Sequence, residues 1–273
     1  MVIVGTGRLA QALAAWAPRA GYTLAAIVSR DARRARALAR RLHAGRGLAL
    51  GQPLPQAELY WLAVPDDALA RTARRLASAP ADWRGRVALH SSGLRDRGVL
   101  APLAARGAAT GSLHPLMSFA AGVAVEPRGI LFGFEGAAGA RRRAKAMVVR
   151  WGGEWLELPA AAKPAYHLAA TLASPGLVAL LAAAQWAGGR RLPARSRKKL
   201  WRGLQRLMAQ TAQNLARPGA RPAGAWTGPL ARGDRQTLRR HLQTARELGL
   251  ADFYRAQARL ARRLLPSQGQ AKR

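Results

Sequence analysis

The stretch VIVGTGRLA, Val2 to Ala10, decides the fold. Three β-branched apolar residues read as a short buried strand, and the residues from Arg8 to Gly21 read with helical periodicity. The turn between them carries Gly5, Thr6, Gly7, Arg8, Leu9 and Ala10, the G-x-G-x-x-A spacing. Gly5 permits the tight turn, Gly7 lets backbone approach a pyrophosphate, and Ala10 allows the helix to pack closely on the strand. N–H groups freed at the helix start then bind an anion. Alone the pattern is common; between a strand and a helix it is specific.

Working outward, short apolar runs alternate with helical patterns. Strands are expected at 1–5, 23–29, 57–65, 85–92, 109–116, 129–136 and 153–159. Helices are expected at 7–21, 31–45, 66–78, 97–107 and 140–152, with Asp66 and Asp67 suiting the positive end of the third. Such alternation implies an α/β fold, a doubly wound parallel sheet with right-handed crossovers. From Ala160 onward only helical patterns persist, at 160–189, 195–216, 234–248 and 251–265. The expected organisation is a dinucleotide-binding domain over 1–159, an all-helical substrate or dimerisation domain over 160–265, and a flexible tail over 266–273.

The composition is globular, with 49% hydrophobic and 21% charged residues in 273. The charge is the anomaly: 40 arginines and five lysines face 13 acids, for a net +32. Such a charge attracts polyanions, yet none of the usual nucleic-acid reader motifs is present, so no specific nucleic-acid partner is expected. Cysteine is absent, which excludes a disulfide framework, a thiolate metal site and a cysteine nucleophile; no metal is expected. MVIVGTG leads directly into a strand, leaving no room for a signal peptide there. The longest apolar stretch, Leu168 to Gly188, is alanine-rich and interrupted by Ser174, Pro175, Gly176 and Gln185. It reads as a helix buried in protein, with no membrane and a cytoplasmic setting.

The second strand ends Ser29-Arg30, with Asp31 at the helix start and six arginines within Ile27 to Arg41. NAD-binding folds place an acid there for the ribose 2′-hydroxyl. A guanidinium at Arg30 and the Ser29 hydroxyl, with Arg33 or Arg34 one turn on, instead suit a 2′-phosphate, so the cofactor expected is NADP. Asp31 is alternatively a ribose ligand or an ordinary N-cap. The segment Ala63 to Asp67 should run beside the cofactor through Val64 and Pro65, or simply start a helix.

Ligands in such sheets lie beyond the carboxyl ends of the strands, where HSSG (His90 to Gly93) and SLHPLMSF (Ser112 to Phe119) arrive. Ser91, Ser92 and His114 are candidates there. In the helical half, Lys163, His167, Thr171 and Ser174 recur at i, i+4, i+8 and i+11, one helix face. A polar line on an apolar helix must meet partners or a ligand cavity; alternatively Ser174 bonds only its own helix beside Pro175. His167 is the expected proton donor, since histidine ordinarily titrates near 6.5 and is poised at neutral pH. Ser174 and Ser92 are expected to hydrogen-bond a substrate. Arg232, in the loop TGPLARGD, is a candidate clamp for a substrate carboxylate, and Asp234 an N-cap.

The segments VGTGRLAQAL, LAVPDDALA, HSSGL, GSLHPLMSFA, YHLAATLAS and TGPLARGD, in this order, resemble a bacterial family of Rossmann-like proteins with a C-terminal domain of unknown function. That family is similar to 6-phosphogluconate dehydrogenase, ketopantoate reductase and pyrroline-5-carboxylate reductase. The resemblance implies an NADP-binding domain, a 6-phosphogluconate-dehydrogenase-like helical domain that often makes a homodimer, and oxidoreductase activity. Where the family reads Ser-Asn, this chain has Ser174-Pro175. The expectation is an NADP-dependent dehydrogenase or reductase of a small carbonyl or imine substrate, such as a 2-oxo acid of ketopantoate type. The alternative is a non-catalytic or regulatory dinucleotide-binding protein.

Overall fold

Val2, Ile3 and Val4 are stiff at χ1 and wholly buried, and they form β1 (Val2–Val4), an inner strand of an eight-stranded sheet. Burying each such side chain stabilises the fold by about 1.5–3 kcal/mol. The computed structural model describes residues 1–43 and 45–264, so the tail expected at 266–273 lies outside the described residues. Along the chain β1 is followed by α1 (Arg8–Trp16), β2 (Ala26–Ser29), α2 (Ala32–Arg41), β3 (Arg46–Ala49), β4 (Leu59–Leu62) and α3 (Asp66–Ala77). Then come β5 (Val87–His90), α4 (Ala101–Ala104), β6 (Ala109–Pro115), β7 (Leu131–Gly136), α5 (Ala138–Arg150), β8 (Glu154–Glu157) and α6 (Lys163–Ala173).

The strand order is β3-β2-β1-β4-β5-β6-β7-β8, the doubly wound arrangement extended by two strands. Every neighbouring pair is parallel except β6 and β7. The all-parallel expectation fails there for a plain reason: no helix lies between Pro115 and Leu131 to carry the chain back across the sheet. The strand β3 was not expected. Its Arg-Gly-Leu-Ala run is short, half-exposed and at the sheet edge, so it lacks an apolar signature.

Alternate strand residues face opposite layers. Ile3, Trp61, Leu89 and Leu113 pack against α1 and α5, with Trp16 and Trp151 at the centre. Val2, Val4, Tyr60, Leu62 and Ala88 pack against Leu69, Ala73 and Leu76 of α3 and Leu103 of α4. The carboxyl ends of β1, β4, β5 and β6 thus stand side by side.

The chain divides into two compact units, Met1–Ser174 and Pro175–Arg273. The boundary expected at Pro159 therefore moves past α6, because α6 is pinned to the first unit by its own side chains, as described below. The second unit comprises α7 (Pro175–Gly189), α8 (Ala194–Leu215), α9 (Pro222–Ala225), α10 (Pro229–Arg232), α11 (Arg235–Glu247) and α12 (Ala251–Leu264). Asp234 caps α11 as expected, accepting the Thr237 N–H at 3.1 Å. The buried helix expected over Leu168 to Gly188 is not buried: Leu168 is 58% exposed, Leu172 63% and Val178 68%. The stretch Ala160–Gly189 is long and apolar enough by composition to cross a membrane, and none of its most apolar window is covered. Lys163 and Tyr166 anchor one face of α6, which leaves the leucines on its other faces without a cover.

Candidate active site

A cleft of about 390 Å³ opens at the carboxyl ends of β1, β2 and β4, lined by Gly5, Thr6, Gly7, Ser29, Arg30, Arg34, Val64 and Pro65 among others. Gly5 has φ +133°, and a Cβ there would fall 2.1 Å from the Ala63 carbonyl oxygen. Only glycine closes this turn. A Cβ on Gly7 would meet nothing within 4 Å, so the space beside it is open to a ligand. Gly7 caps α1 without a side-chain bond, and the first turn holds no acid, which leaves its N–H groups to an anion. Asp31 caps α2 and also lines the cleft: Oδ1 accepts from the N–H groups of Arg33 and Arg34 at 2.9 and 3.3 Å, and Oδ2 lies 3.5 Å from Arg34 Nε. The N-cap expected of it is thus realised. The cleft therefore offers a hydroxyl and two guanidiniums beside the Asp31 carboxylate, whose Oδ2 faces Arg34.

Along the sheet, the ends of β5 and β6 meet α6 in a dense polar cluster. Lys163 is 0% exposed. Its Nζ donates to Ser92 O at 3.1 Å and Ser112 Oγ at 2.8 Å, and the Ser112 hydroxyl donates to the same Ser92 O at 2.9 Å. Among the described residues no carboxylate lies within ion-pair distance of it, and burial lowers its pKa. Ser92 Oγ donates to Asp66 at 2.7 Å and accepts from Leu94 N and Arg95 N at 3.1 and 2.8 Å. This bond ties the cluster to the start of α3, next to Pro65 of the dinucleotide cleft. His90 is held between Ser92 N (3.1 Å, donating to Nδ1) and Asp96 O (3.0 Å, accepting from Nε2), and burial pushes its pKa down to about 4.

The half-buried rings of His114, Tyr166 and His167 stand together. Tyr166 Oη and His114 Nδ1 are 2.9 Å apart, and the two histidine rings cross nearly perpendicular with centroids 6.0 Å apart. Burial, then His167 and Lys163, push the His114 pKa down to about 4, so it is neutral near pH 7. Burial pushes Tyr166 up to about 12, so its hydroxyl keeps its proton. Gly93 makes room for both imidazoles: a Cβ there would sit 2.5 Å from His167 Cδ2 and 3.1 Å from His114 Nε2.

Residues 130–261 match the model described as a domain of unknown function, DUF2520, and residues 1–115 match that of a Rossmann-like domain. Together the two matches span most of the chain, a Rossmann-like domain followed by a DUF2520 domain. No curated protein matches its sequence. Among solved structures, the chain is similar to a Bacteroides fragilis protein provisionally classed as an NADP oxidoreductase, at 22% identity and TM-score 0.78, over 94% of this chain and 95% of that one. It is also similar to a Thermotoga maritima protein, at 24% identity and TM-score 0.72 over 100% and 99%. A reductive aminase from Aspergillus terreus, solved with NADPH and ethyl-5-oxohexanoate, aligns at 18% identity and TM-score 0.64 over 96% and 93%. At these identities the likeness establishes the fold.

The site expected from sequence is partly assembled. Gly5, Thr6, Gly7, Ser29, Arg30, Val64 and Pro65 line one cleft; of Arg33 and Arg34, the latter lines it. Arg8 points elsewhere, its Nη1 3.4 Å from Phe119 O, and Leu9 packs on the core. His114 and His167 come together as expected. Ser92 does not serve a substrate, since its one donor and two acceptor positions are all used within the chain. Ser91 accepts the Trp61 indole N–H at 2.7 Å, leaving only its own proton to offer. Thr171 bonds back to His167 O at 3.0 Å. Ser174 is half-buried at the end of α6, and Arg232 closes α10 of the second unit. The reading missed Tyr166, Asp66 and the role of Lys163. The i, i+3, i+4 spacing of Lys163, Tyr166 and His167, one helix face, was the available signal.

Proposed function

We propose that the protein is an NADP-dependent oxidoreductase that transfers a hydride between NADPH and a small carbonyl or imine carbon, with 2-oxo acids of ketopantoate type as the first substrates to try. One observation carries this reading: the anion cleft at Gly5–Gly7 with Arg30 and Arg34 adjoins, through Asp66 and Ser92, the cluster of His114, Tyr166 and His167. The fit to NADP rests on the open space at Gly7, the uncapped start of α1 and the two guanidiniums. Bound there, the cofactor supplies the hydride. The chain supplies the proton: His167 is the donor to the carbonyl oxygen or imine nitrogen, Tyr166 hydrogen-bonds the developing charge, and neutral His114 holds the Tyr166 hydroxyl. The NADPH complex of the structurally similar reductive aminase supports the cofactor and leaves carbonyl and imine substrates both open.

The bare leucines of α6 and α7, and an apolar cleft of about 510 Å³ in the second unit lined by Leu177, Leu204, Met208 and Phe253, support a homodimer that covers them; we set it in the cytoplasm, without a membrane or specific nucleic-acid partner. Light scattering that gives a monomer at micromolar concentration in moderate salt contradicts the dimer. A non-catalytic dinucleotide-binding role is the second reading, favoured by the saturated Ser92 and by Pro175 where the family has asparagine. A panel of 2-oxo acids and cyclic imines separates the two. Oxidation of NADPH by any of them, lost in His167→Ala, supports the enzyme; tight NADPH binding without turnover of any supports the second reading.

A further inference from the structure

A second cleft, of about 470 Å³, lies at the amino ends of β5 and β6, the opposite end of these strands from the dinucleotide cleft. Four arginines line it: Arg86 before β5, and Arg142, Arg143 and Arg150 of α5. No acidic side chain does. Arginine is abundant over the whole chain, so charge alone distinguishes nothing; concavity and anchoring do. Arg150 Nη1 donates to Ala20 O at 2.7 Å and Arg86 Nη1 to Ala57 O at 3.3 Å, each spending one of five N–H donors. The guanidiniums are thereby fixed with their remaining donors unspent. Among the described residues only Arg143 meets a carboxylate, that of Glu58. Gly85 and Gly107, both at positive φ, keep the rim free of side chains.

We infer that this cleft is a second anion site, built for a small ligand bearing two or more phosphoryl groups. Planar guanidinium forks match phosphate oxygens two at a time. Arg142 and Arg150 are eight residues apart, about 12 Å along α5, which spreads the charge beyond the reach of one phosphate. The volume lies within the usual range for small-molecule sites, and the concavity suits such a ligand better than a nucleic-acid strand. Because the cleft is at the far end of the strands, its ligand does not compete with a dinucleotide.

Calorimetry with inorganic tripolyphosphate, at about 150 mM salt to screen diffuse attraction, tests this. One saturable equivalent is expected that survives Arg30→Ala. Arg142→Ala combined with Arg150→Lys, which keeps a charge and a donor for Ala20 O but removes the fork, should weaken that equivalent by at least about tenfold. An unchanged melting temperature shows that the double variant is folded. The control pair Arg202→Ala and Arg206→Ala on α8 should leave binding unchanged. Equal weakening by the control pair, loss of the equivalent in Arg30→Ala, or binding of single-stranded RNA without tripolyphosphate binding each overturns the inference.

Discussion

Replacing Lys163 with methionine removes a buried ammonium while nearly keeping its length. Counting bonds alone, the two it donates, at 3.1 and 2.8 Å, suggest a loss of about 3–6 kcal/mol, at about 1.5–3 kcal/mol for each charged hydrogen bond. Two facts shrink that figure. Dehydrating an ammonium costs several kcal/mol, which the variant recovers. Ser92 O also keeps the Ser112 hydroxyl as donor at 2.9 Å, so no buried acceptor is orphaned. Lys163→Met should therefore cost no more than about 2 kcal/mol at pH 7. The pH dependence is the sharper test. Burial holds the folded-state pKa of Lys163 below its ordinary 10.5, so between the two values the unfolded chain binds more protons and stability rises with pH. The ammonium's cost is full below the folded pKa and is relieved as pH climbs towards 10.5. Urea melts of both proteins from pH 7 to pH 10 should show wild type gaining on the variant. A difference that stays flat or shrinks, or a loss above about 4 kcal/mol at pH 7, would refute this balance and make Lys163 a net stabiliser.

His90 and His114, both held near 4, favour the proton-free folded state, so wild type should lose stability as pH falls from about 6.5 towards 4; thermal melts of His114→Asn should show a shallower acid slope, and an unchanged slope counts against a buried neutral imidazole. His167→Ala should lower kcat by about 10²–10⁴-fold and leave NADPH binding intact, read by steady-state kinetics on any substrate wild type turns over; full activity removes His167 from the chemistry. Gly93→Ala drives a methyl to 2.5 Å from His167, so it should cost about 1–3 kcal/mol in denaturant melts and reduce turnover without weakening cofactor binding; a neutral effect means that the rings are not packed on Gly93.

The dinucleotide half was legible because glycine carries its geometry openly: Gly5 and Gly7 can be placed from spacing alone, and a Cβ would clash at the first and meet open space at the second. Two elements escaped for local reasons. The strand β3 has an exposed arginine and a glycine where an apolar run was sought, and the reversal at β7 depends on a connection whose lack of a helix leaves no periodic trace. Ser92 was misjudged because a serine at a strand end looks free in sequence, while the bonds that consume it come from Asp66, 26 residues earlier, and from backbone N–H groups. Lys163 was seen as polar but not as buried. Nothing local announces that a lysine will cross to the carbonyl of a serine 71 residues away. The exposure of Leu168, Leu172 and Val178 was likewise invisible, since an apolar helix in sequence does not say what covers it.

Titration calorimetry of NADPH and NADH against wild type and Arg30→Ala tests the dinucleotide cleft most directly. Arg30 stands beside Ser29 at the end of β2, and Asp31 Oδ1 is spent on its helix cap, so a 2′-phosphate has guanidiniums to meet at Arg30 and Arg34. The expected result is tighter binding of NADPH than NADH in wild type, with Arg30→Ala weakening NADPH by about 1–3 kcal/mol and NADH hardly at all. Equal losses for both cofactors, or no preference in wild type, would contradict the assignment.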